Sequence, residues 1–215
     1  EAQRRRGGRS LSSLDVVTAP GGTADLLQAM QSLPGVTGGS ESSDLAIRGG
    51  DPEEAPFFLD GARLAYAGKF ESLSGGLFGA IDPSVLRYAR VSAGAFSARY
   101  GDALSGVLET ASLGRPGGKS WRVGANSTGV SGSVARPYTS RSGSWGTFRA
   151  THTGALLRSQ GRRDDYDSAP SSIDAMVGAV RVVANGELKA VALIEDDRAA
   201  PLLTAGGYRG AYASS

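Results

Sequence analysis

The sequence has 215 residues, of which 40% are hydrophobic and 20% are charged, and its formal net charge is +2. The apolar fraction suffices for a folded core, which excludes wholesale disorder, and the small net charge predicts no nucleic-acid partner. Cysteine is absent, which excludes disulfide frameworks and thiolate metal sites. No run of about 18 apolar residues is present, so no membrane-spanning helix is predicted.

The chain begins with a basic stretch rich in Gly and Ser, and residues 1–14 are predicted to form a flexible lead-in. The first periodic element is a helix at residues 23–33, with Thr23 as its predicted N-cap. The apolar stripe of this helix consists of Leu26, Met30 and Leu33. A helix of about three turns is marginal alone, so this one is predicted to pack against other elements.

Short strands follow the helix, separated by Gly, Pro and Asp. The predicted strands are 45–48, 57–64, 88–93 and 106–110, with one helical turn at 81–86. Within the second of these, Asp60-Gly61 has the sequence of a type I′ turn, which predicts a hairpin. Residues 15–113 are therefore predicted to form a compact α+β domain.

Helix signals disappear after residue 113, and the chain becomes rich in Ser, Thr and Gly with aromatic residues between them. The alternation of apolar and polar residues predicts four or five strands in this region. They lie around residues 121–136, 144–157, 173–183 and 187–194, with a start near Tyr208.

The clearest of these units is a hairpin over residues 173–195. Asn185-Gly186 predicts a two-residue turn, which places Val183 opposite Leu188. One face of the hairpin is then apolar except for Arg181, and the other is mixed. Each arm has the length of about 10 residues that a tilted strand needs to cross a bilayer. A soluble β-sandwich alternates in the same way, so the hairpin alone leaves both architectures open.

Six motifs occur in a fixed order in the first half of the chain. They are 31–36, 45–50, 57–64, 82–86, 95–101 and 104–110. Each is common alone, but their order and spacing resemble the plug domain of TonB-dependent outer-membrane receptors. The resemblance implies an α+β plug, a small mixed sheet with short helices, in residues 15–113. It implies that residues 114–215 are antiparallel strands of an incomplete transmembrane β-barrel.

The resemblance also implies a function and a set of partners. The plug of such a receptor binds ligand and gates the energised uptake of a scarce nutrient across the bacterial outer membrane. The implied partners are a TonB-type energy-coupling protein, outer-membrane lipid and a small ligand such as a siderophore, cobalamin, glycan or peptide. No persuasive TonB box is present, since the nearest apolar stretch, residues 11–18, is predicted to begin the plug itself. A plugged barrel has roughly 22 strands, so the chain is expected to be a fragment.

Two groups of candidate site residues follow from the resemblance. The ligand-contact candidates, on plug loops implied to face outward, are Ser40, Glu41, Ser42, Tyr66, Lys69 and Phe70. The structural and ion-pair candidates are Arg48, Gly49, Gly50, Asp60, Gly61, Arg99, Tyr100, Gly101, Gly106 and Glu109. The glycines suit positions of close backbone approach or positive φ. Arg48, Arg99 and Glu109 are predicted to form ion pairs between the plug sheet and the barrel wall.

Catalytic signals are weak throughout the chain. His152 is the single histidine, and residues 129–133 lack the final Gly of a nucleophile elbow. No phosphate-binding loop or dinucleotide fingerprint is present, so no enzyme activity, cofactor or metal is expected. The alternative to a receptor is a soluble periplasmic or surface binding module, with a plug-like α+β fold and a β-rich appendage. Solubility without detergent distinguishes this alternative from a barrel.

Overall fold

The computed structural model describes residues 9–19, 25–38, 45–65, 67–69, 78–94, 96–97, 99–126, 128–159, 161, 166–205 and 208–211. The chain divides into two compact units, residues 1–113 and 114–215. None of the helices in the described part of the chain has the length and hydropathy needed to cross a bilayer.

Short strands and helices alternate in the first unit. The strands are β1 (Arg9–Leu11), β2 (Val36–Gly38), β3 (Leu45–Ile47), β4 (Phe57–Leu59), β5 (Ala62–Arg63), β6 (Gly68–Lys69), β7 (Phe78–Gly79), β8 (Leu86–Ser92) and β9 (Val107–Ser112). The helices are α1 (Ser13–Val17) and α2 (Leu26–Gln31), and single 3₁₀ turns occupy Pro52–Glu54 and Pro83–Val85.

A five-stranded sheet with the order β1-β8-β9-β4-β5 organises this unit. The sheet is mixed, because β4 runs parallel to β9 whereas the other neighbours are antiparallel. Two small hairpins, β2-β3 and β6-β7, complete the described strands. The predicted small mixed sheet with short helices is confirmed.

Helix α2 provides much of the core of the first unit. The three residues of the predicted stripe, Leu26, Met30 and Leu33, are all buried, although Leu33 lies two residues beyond the end of the helix. The helix is shorter than predicted, and its N-cap is Asp25, whose carboxylate accepts from the backbone amides of Leu27 and Gln28. An Asp cap contributes about 1 kcal/mol, and the predicted cap, Thr23, lies outside the described residues.

The predicted flexible lead-in, residues 1–14, overlaps ordered structure. Strand β1 pairs with β8, with Ser10 opposite Arg90. Helix α1 follows at once and begins with a capping box, in which the backbone amide and hydroxyl of Ser12 donate to Asp15. These hydrogen bonds, first of all the one from the backbone, lower the pKa of Asp15. The boundary was wrong because a three-residue strand is too short to show a period in the sequence.

The second unit is a six-stranded antiparallel sheet in chain order. Its strands are β10 (Ser120–Asn126), β11 (Gly129–Pro137), β12 (Ser142–His152), β13 (Tyr166–Val183), β14 (Gly186–Ala205) and β15 (Tyr208–Ala211). One helix, α3 (Gly154–Ser159), lies between β12 and β13. The predicted strand at 121–136 is thus two strands, and the end of the predicted strand at 144–157 is helical.

The β13-β14 hairpin has a different register from the predicted one. Val183 lies opposite Gly186 and Arg181 opposite Leu188, so the turn residues are Ala184 and Asn185. The two registers differ by two residues along one strand, which leaves every side chain on its predicted face. The hydrophobic pattern is therefore the same in both registers, which is why it did not identify the correct one.

Candidate functional site

The ligand-contact candidates lie mostly in parts of the plug for which no conformation is described. Ser40, Glu41, Ser42, Tyr66 and Phe70 fall outside the described residues. Lys69 lies in β6, opposite Phe78 of β7, and its side chain is completely buried. A buried ammonium offers no surface to a ligand in this conformation. Ligand contact by Lys69 stays a prediction and requires the β6-β7 hairpin to open.

Asp25 ties the β6-β7 hairpin to helix α2. One carboxylate oxygen caps the helix, and the other accepts a hydrogen bond of 2.6 Å from the backbone amide of Gly79. The Asp25 side chain is buried, so both interactions are shielded from water. Movement of the hairpin away from α2 would therefore break a buried hydrogen bond to a charged group, which costs about 1.5–3 kcal/mol.

A tight turn after β3 contains three of the structural candidates. Arg48 and Gly49 have φ angles of +53° and +76°, and the Arg48 amide donates to the Gly35 carbonyl over 2.8 Å. A Cβ on Gly50 would lie 2.5 Å from the Cβ of Ser105, so a larger residue would displace that segment. The expected need for glycine at 49 and 50 agrees with this geometry.

The Asp60-Gly61 turn closes the β4-β5 hairpin as predicted. Both residues have positive φ, +49° and +89°, as a type I′ turn requires. The Asp60 carboxylate accepts from the backbone amide and the hydroxyl of Ser112, and the Asp60 amide donates to the Thr110 carbonyl over 2.9 Å. The turn is thereby fixed to the end of β9.

Arg99, Tyr100, Glu109 and Tyr88 form a polar group on the plug sheet, here named the Arg99 cluster. Arg99 donates to Glu109 over 2.9 Å and to the Tyr100 hydroxyl, and Tyr88 donates to the same Glu109 oxygen over 3.3 Å. The Tyr100 ring packs on Phe58, with 4.8 Å between ring centroids. Arg99 and Glu109 thus form an ion pair within the plug, whereas the sequence predicted pairs with the barrel wall.

The electrostatics of the Arg99 cluster favour a structural role. Burial, followed by the charge of Glu109, raises the pKa of Tyr88, and burial also raises the pKa of Tyr100. The hydrogen bond with Tyr100 raises the pKa of Arg99. Both hydroxyls stay protonated and the guanidinium stays charged near neutral pH, so none of the three groups is poised to transfer protons.

Two glycines of the family motifs differ in their surroundings. A Cβ on Gly106 would lie 2.6 Å from Ile47 Cδ1 and 2.9 Å from the Ser92 carbonyl oxygen. Gly106 therefore permits the close approach that was predicted. A Cβ on Gly101 would meet no atom within 4 Å, and Gly101 is exposed without a positive φ. The predicted need for glycine at 101 does not arise within the described residues.

The second unit exposes an apolar face. The strand registers place the exposed large hydrophobic residues of its strands on one side of the sheet, here named the outer face. The exposed members are Trp121, Val123, Val130, Val134, Phe148, Ile173, Val177, Val183, Leu188 and Ile194. Of the charged residues of this face, Arg136 and Arg181 lie near strand ends, whereas Asp196 and Arg198 lie midway along β14.

The opposite side of the sheet, here named the inner face, has both apolar and polar side chains and is largely buried. Trp145, Thr147, Ser172, Asp174 and Met176 are buried on it. Arg149 and Asp174 lie directly opposite each other on β12 and β13 and form an ion pair with 3.2 Å between Nε and each carboxylate oxygen. A soluble sandwich buries its apolar face, whereas these strands expose it, as strands of a transmembrane barrel do.

The described residues contain no group of three or more His, Asp or Glu side chains placed to hold a metal ion. His152, the single histidine, lies exposed at the end of β12. The two features that remain as candidates for function are the packed turns of the first unit and the apolar outer face of the second.

One family model and several solved structures resemble this chain. The model for the TonB-dependent Receptor Plug Domain matches residues 10–107, and no curated protein matches the sequence. The siderophore receptor PirA from Pseudomonas aeruginosa is 18% identical, with a TM-score of 0.58 over 92% of this chain and 34% of that one. The ferric citrate transporter FecA is 14% identical, with a TM-score of 0.63 over 90% of this chain and 31% of that one.

The copper transporter OprC gives a similar result, with 14% identity and a TM-score of 0.63 over 89% of this chain and 31% of that one. The chain thus spans about a third of the length of these structures, and identities this low establish the fold alone. The plug model covers the first unit, and the solved structures extend the similarity into the strands of the second. Residues 10–107 therefore form a plug domain of the TonB-dependent receptor type, and the antiparallel strands that follow share the fold of these solved structures.

Proposed function

We propose that this chain is part of an energised transporter of the bacterial outer membrane, in which residues 15–113 gate uptake and residues 114–215 contribute to the barrel. The observation that carries the proposal is the orientation of the second sheet. Its outer face exposes Val177 and Ile194 at 55% and 71%, while Asp174 on its inner face is 2% exposed. In water this arrangement is unfavourable, whereas in a bilayer the exposed face lies in hydrocarbon.

Gating is assigned to the segment from Arg63 to Gly76, which includes β6. Lys69 is buried here, and the hairpin is held to α2 through Asp25. A ligand that binds the open form better than the closed form shifts the balance between them, which a transport gate requires. Deletion of residues 65–75 in the full-length protein should abolish uptake, and undiminished uptake would contradict this assignment.

The proposed cargo is a scarce metal complex. The names of the structurally similar proteins refer to siderophores, ferric citrate and copper. These proteins share one fold but differ in cargo. We therefore propose only the chemical class of the cargo, a metal chelate. Ser40, Glu41, Ser42, Tyr66, Lys69 and Phe70 remain the proposed contact residues. The proposed energy source is a TonB-type protein of the inner membrane, and the proposed activity is transport without catalysis.

The most direct test substitutes arginine at two depths of the outer face. Val177 lies in the middle of β13, and Val183 lies beside the turn; both are about half exposed, so neither substitution meets a steric obstacle. A lipid-facing Arg costs roughly 2–4 kcal/mol at the bilayer midplane and about 0–1 near the interface. In the full-length protein, Val177→Arg should reduce assembled, heat-modifiable barrel in the outer membrane, and Val183→Arg should not.

A soluble module predicts a different pattern for the same pair. Both positions would then face water, where exposed substitutions change stability by about 0.5 kcal/mol or less. Equal amounts of folded protein for the two variants, recovered without detergent, would therefore overturn the transporter proposal.

A further inference from the structure

The β6-β7 hairpin encloses a lysine beside the start of helix α2. Gly68 pairs with Gly79, and Lys69 pairs with Phe78. Lys69 is completely buried, although an ammonium group loses favourable hydration when it leaves water. Exposure of Lys69 therefore requires this hairpin to move.

The carboxylate of Asp25 contacts the helix and the hairpin at the same time. One oxygen accepts hydrogen bonds from the amides of Leu27 and Gln28 at the start of α2. The other oxygen accepts from the Gly79 amide over 2.6 Å. Asp25 is 4% exposed, so both interactions are shielded from water. A Cβ on Gly79 would lie 3.4 Å from Leu27 Cγ, which shows that β7 rests directly on the helix.

We propose that Asp25 is a latch: its hydrogen bond to Gly79 keeps the hairpin closed around Lys69, and the loss of this bond exposes Lys69. The proposal rests on the function proposed above, in which Lys69 is a contact residue for the cargo. A cargo that contacts Lys69 binds only the open form, so its apparent affinity falls with the population of that form. Asp25 is thus a positioning residue, which acts on the cargo through Lys69.

Asparagine separates the two roles of Asp25. Its side chain has one carbonyl oxygen, which suits the two amides at the helix start, and asparagine caps helices about as well as aspartate does. The NH2 group of the asparagine then meets the Gly79 N–H, so that a donor faces a donor and the latch is lost. A role limited to helix capping predicts no effect of this substitution on the hairpin, whereas a latch predicts opening.

The test is acetylation of Lys69 in the full-length receptor in detergent, with acetic anhydride as the probe and peptide mass spectrometry as the readout. A buried amine reacts only during transient opening, so its rate follows the population of the open form. Asp25→Asn should raise the Lys69 rate about tenfold to hundredfold, the range expected for loss of a buried hydrogen bond to a charged group. Lys119, which is exposed, should react equally in both proteins and is the internal reference.

Asp82→Asn is the matched control. Asp82 is also a buried cap, which begins the 3₁₀ turn Pro83–Val85 and accepts from the Ser84 amide. This variant should leave the Lys69 rate unchanged. A wild-type Lys69 rate in Asp25→Asn would overturn the proposal, and so would an equal rise in both variants, which would indicate general loosening of the plug.

Amide hydrogen exchange supplies a second test that needs no variant. One opening exposes both groups, so the Gly79 amide should be protected from exchange by about the same factor as Lys69 is from acetylation. Free exchange at Gly79 while Lys69 stays protected would refute the latch. Neither readout depends on transport or on membrane insertion. Both are therefore separable from failure of the transporter proposal, which is judged by barrel assembly of the Val177 and Val183 variants.

Discussion

The two units of this chain place their polar groups in opposite ways. In the plug, Leu26, Met30 and Ile47 are buried, and the Arg99–Glu109 ion pair is partly exposed, with the two side chains 61% and 15% exposed. In the second unit the apolar side chains of the outer face are exposed, and the Arg149–Asp174 ion pair is covered, with the two side chains 17% and 2% exposed.

The difference shows that burial follows the surrounding medium as well as side-chain type. Both units obey the same alternation along their strands. A soluble domain turns the apolar residues inward because water surrounds it. A strand in a bilayer turns them outward because hydrocarbon surrounds it. The second sheet matches the latter arrangement.

The largest expected loss of stability distinguishes a buried ion pair of the second unit from an exposed ion pair of the plug. Arg149→Ala removes the ion-pair partner of a buried carboxylate and should destabilise the folded protein by about 3–5 kcal/mol. Arg63→Ala removes an exposed pair of the plug, in which Arg63 lies 3.6 Å from Asp102, and should cost about 0–1 kcal/mol. Urea unfolding of the full-length protein in detergent measures both. Equal losses of unfolding free energy for the two variants would show that the inner face is no better shielded from water than the plug surface.

A smaller loss of stability is expected for a glycine substitution within the plug. Gly106→Ala places a Cβ 2.9 Å from the Ser92 carbonyl oxygen, a backbone atom that moves only with the strand. The expected cost is about 1–3 kcal/mol. Gly101→Ala is the matched control, because its Cβ would meet open space and the change should be neutral or slightly stabilising. The same denaturation experiment compares them, and a loss for Gly101→Ala as large as for Gly106→Ala would refute the packing argument.

Features with a local cause were predictable from the sequence. The Asp60-Gly61 hairpin was predicted correctly because a type I′ turn needs two positive φ angles, which Asp and Gly tolerate. The stripe of Leu26, Met30 and Leu33 was predicted because buried helical positions recur every three or four residues. The faces of the β13-β14 hairpin followed from the two-residue period of a strand.

Features that depend on distant partners were not predictable. The turn at Ala184 and Asn185 was missed because two registers give the same faces. The partner of Glu109 was assigned to the barrel wall, since nothing local indicates that Arg99 reaches it first. The Arg149–Asp174 pair was missed altogether, because its members are 25 residues apart and meet only through the pairing of β12 with β13. For the ligand-contact residues, the sequence supplied candidates through the family resemblance alone.

The central claim, that the outer face contacts lipid, is tested most directly by the two tryptophans of the chain. Trp121 is 78% exposed on the outer face, and Trp145 is 3% exposed on the inner face. The measurement is fluorescence quenching of the full-length protein by brominated acyl chains in vesicles, in which the difference between wild type and the Trp121→Phe or Trp145→Phe variant gives the contribution of that tryptophan. The account predicts strong quenching of Trp121 and weak quenching of Trp145. Quenching of Trp121 by aqueous iodide, with no response to the brominated lipid, would contradict it.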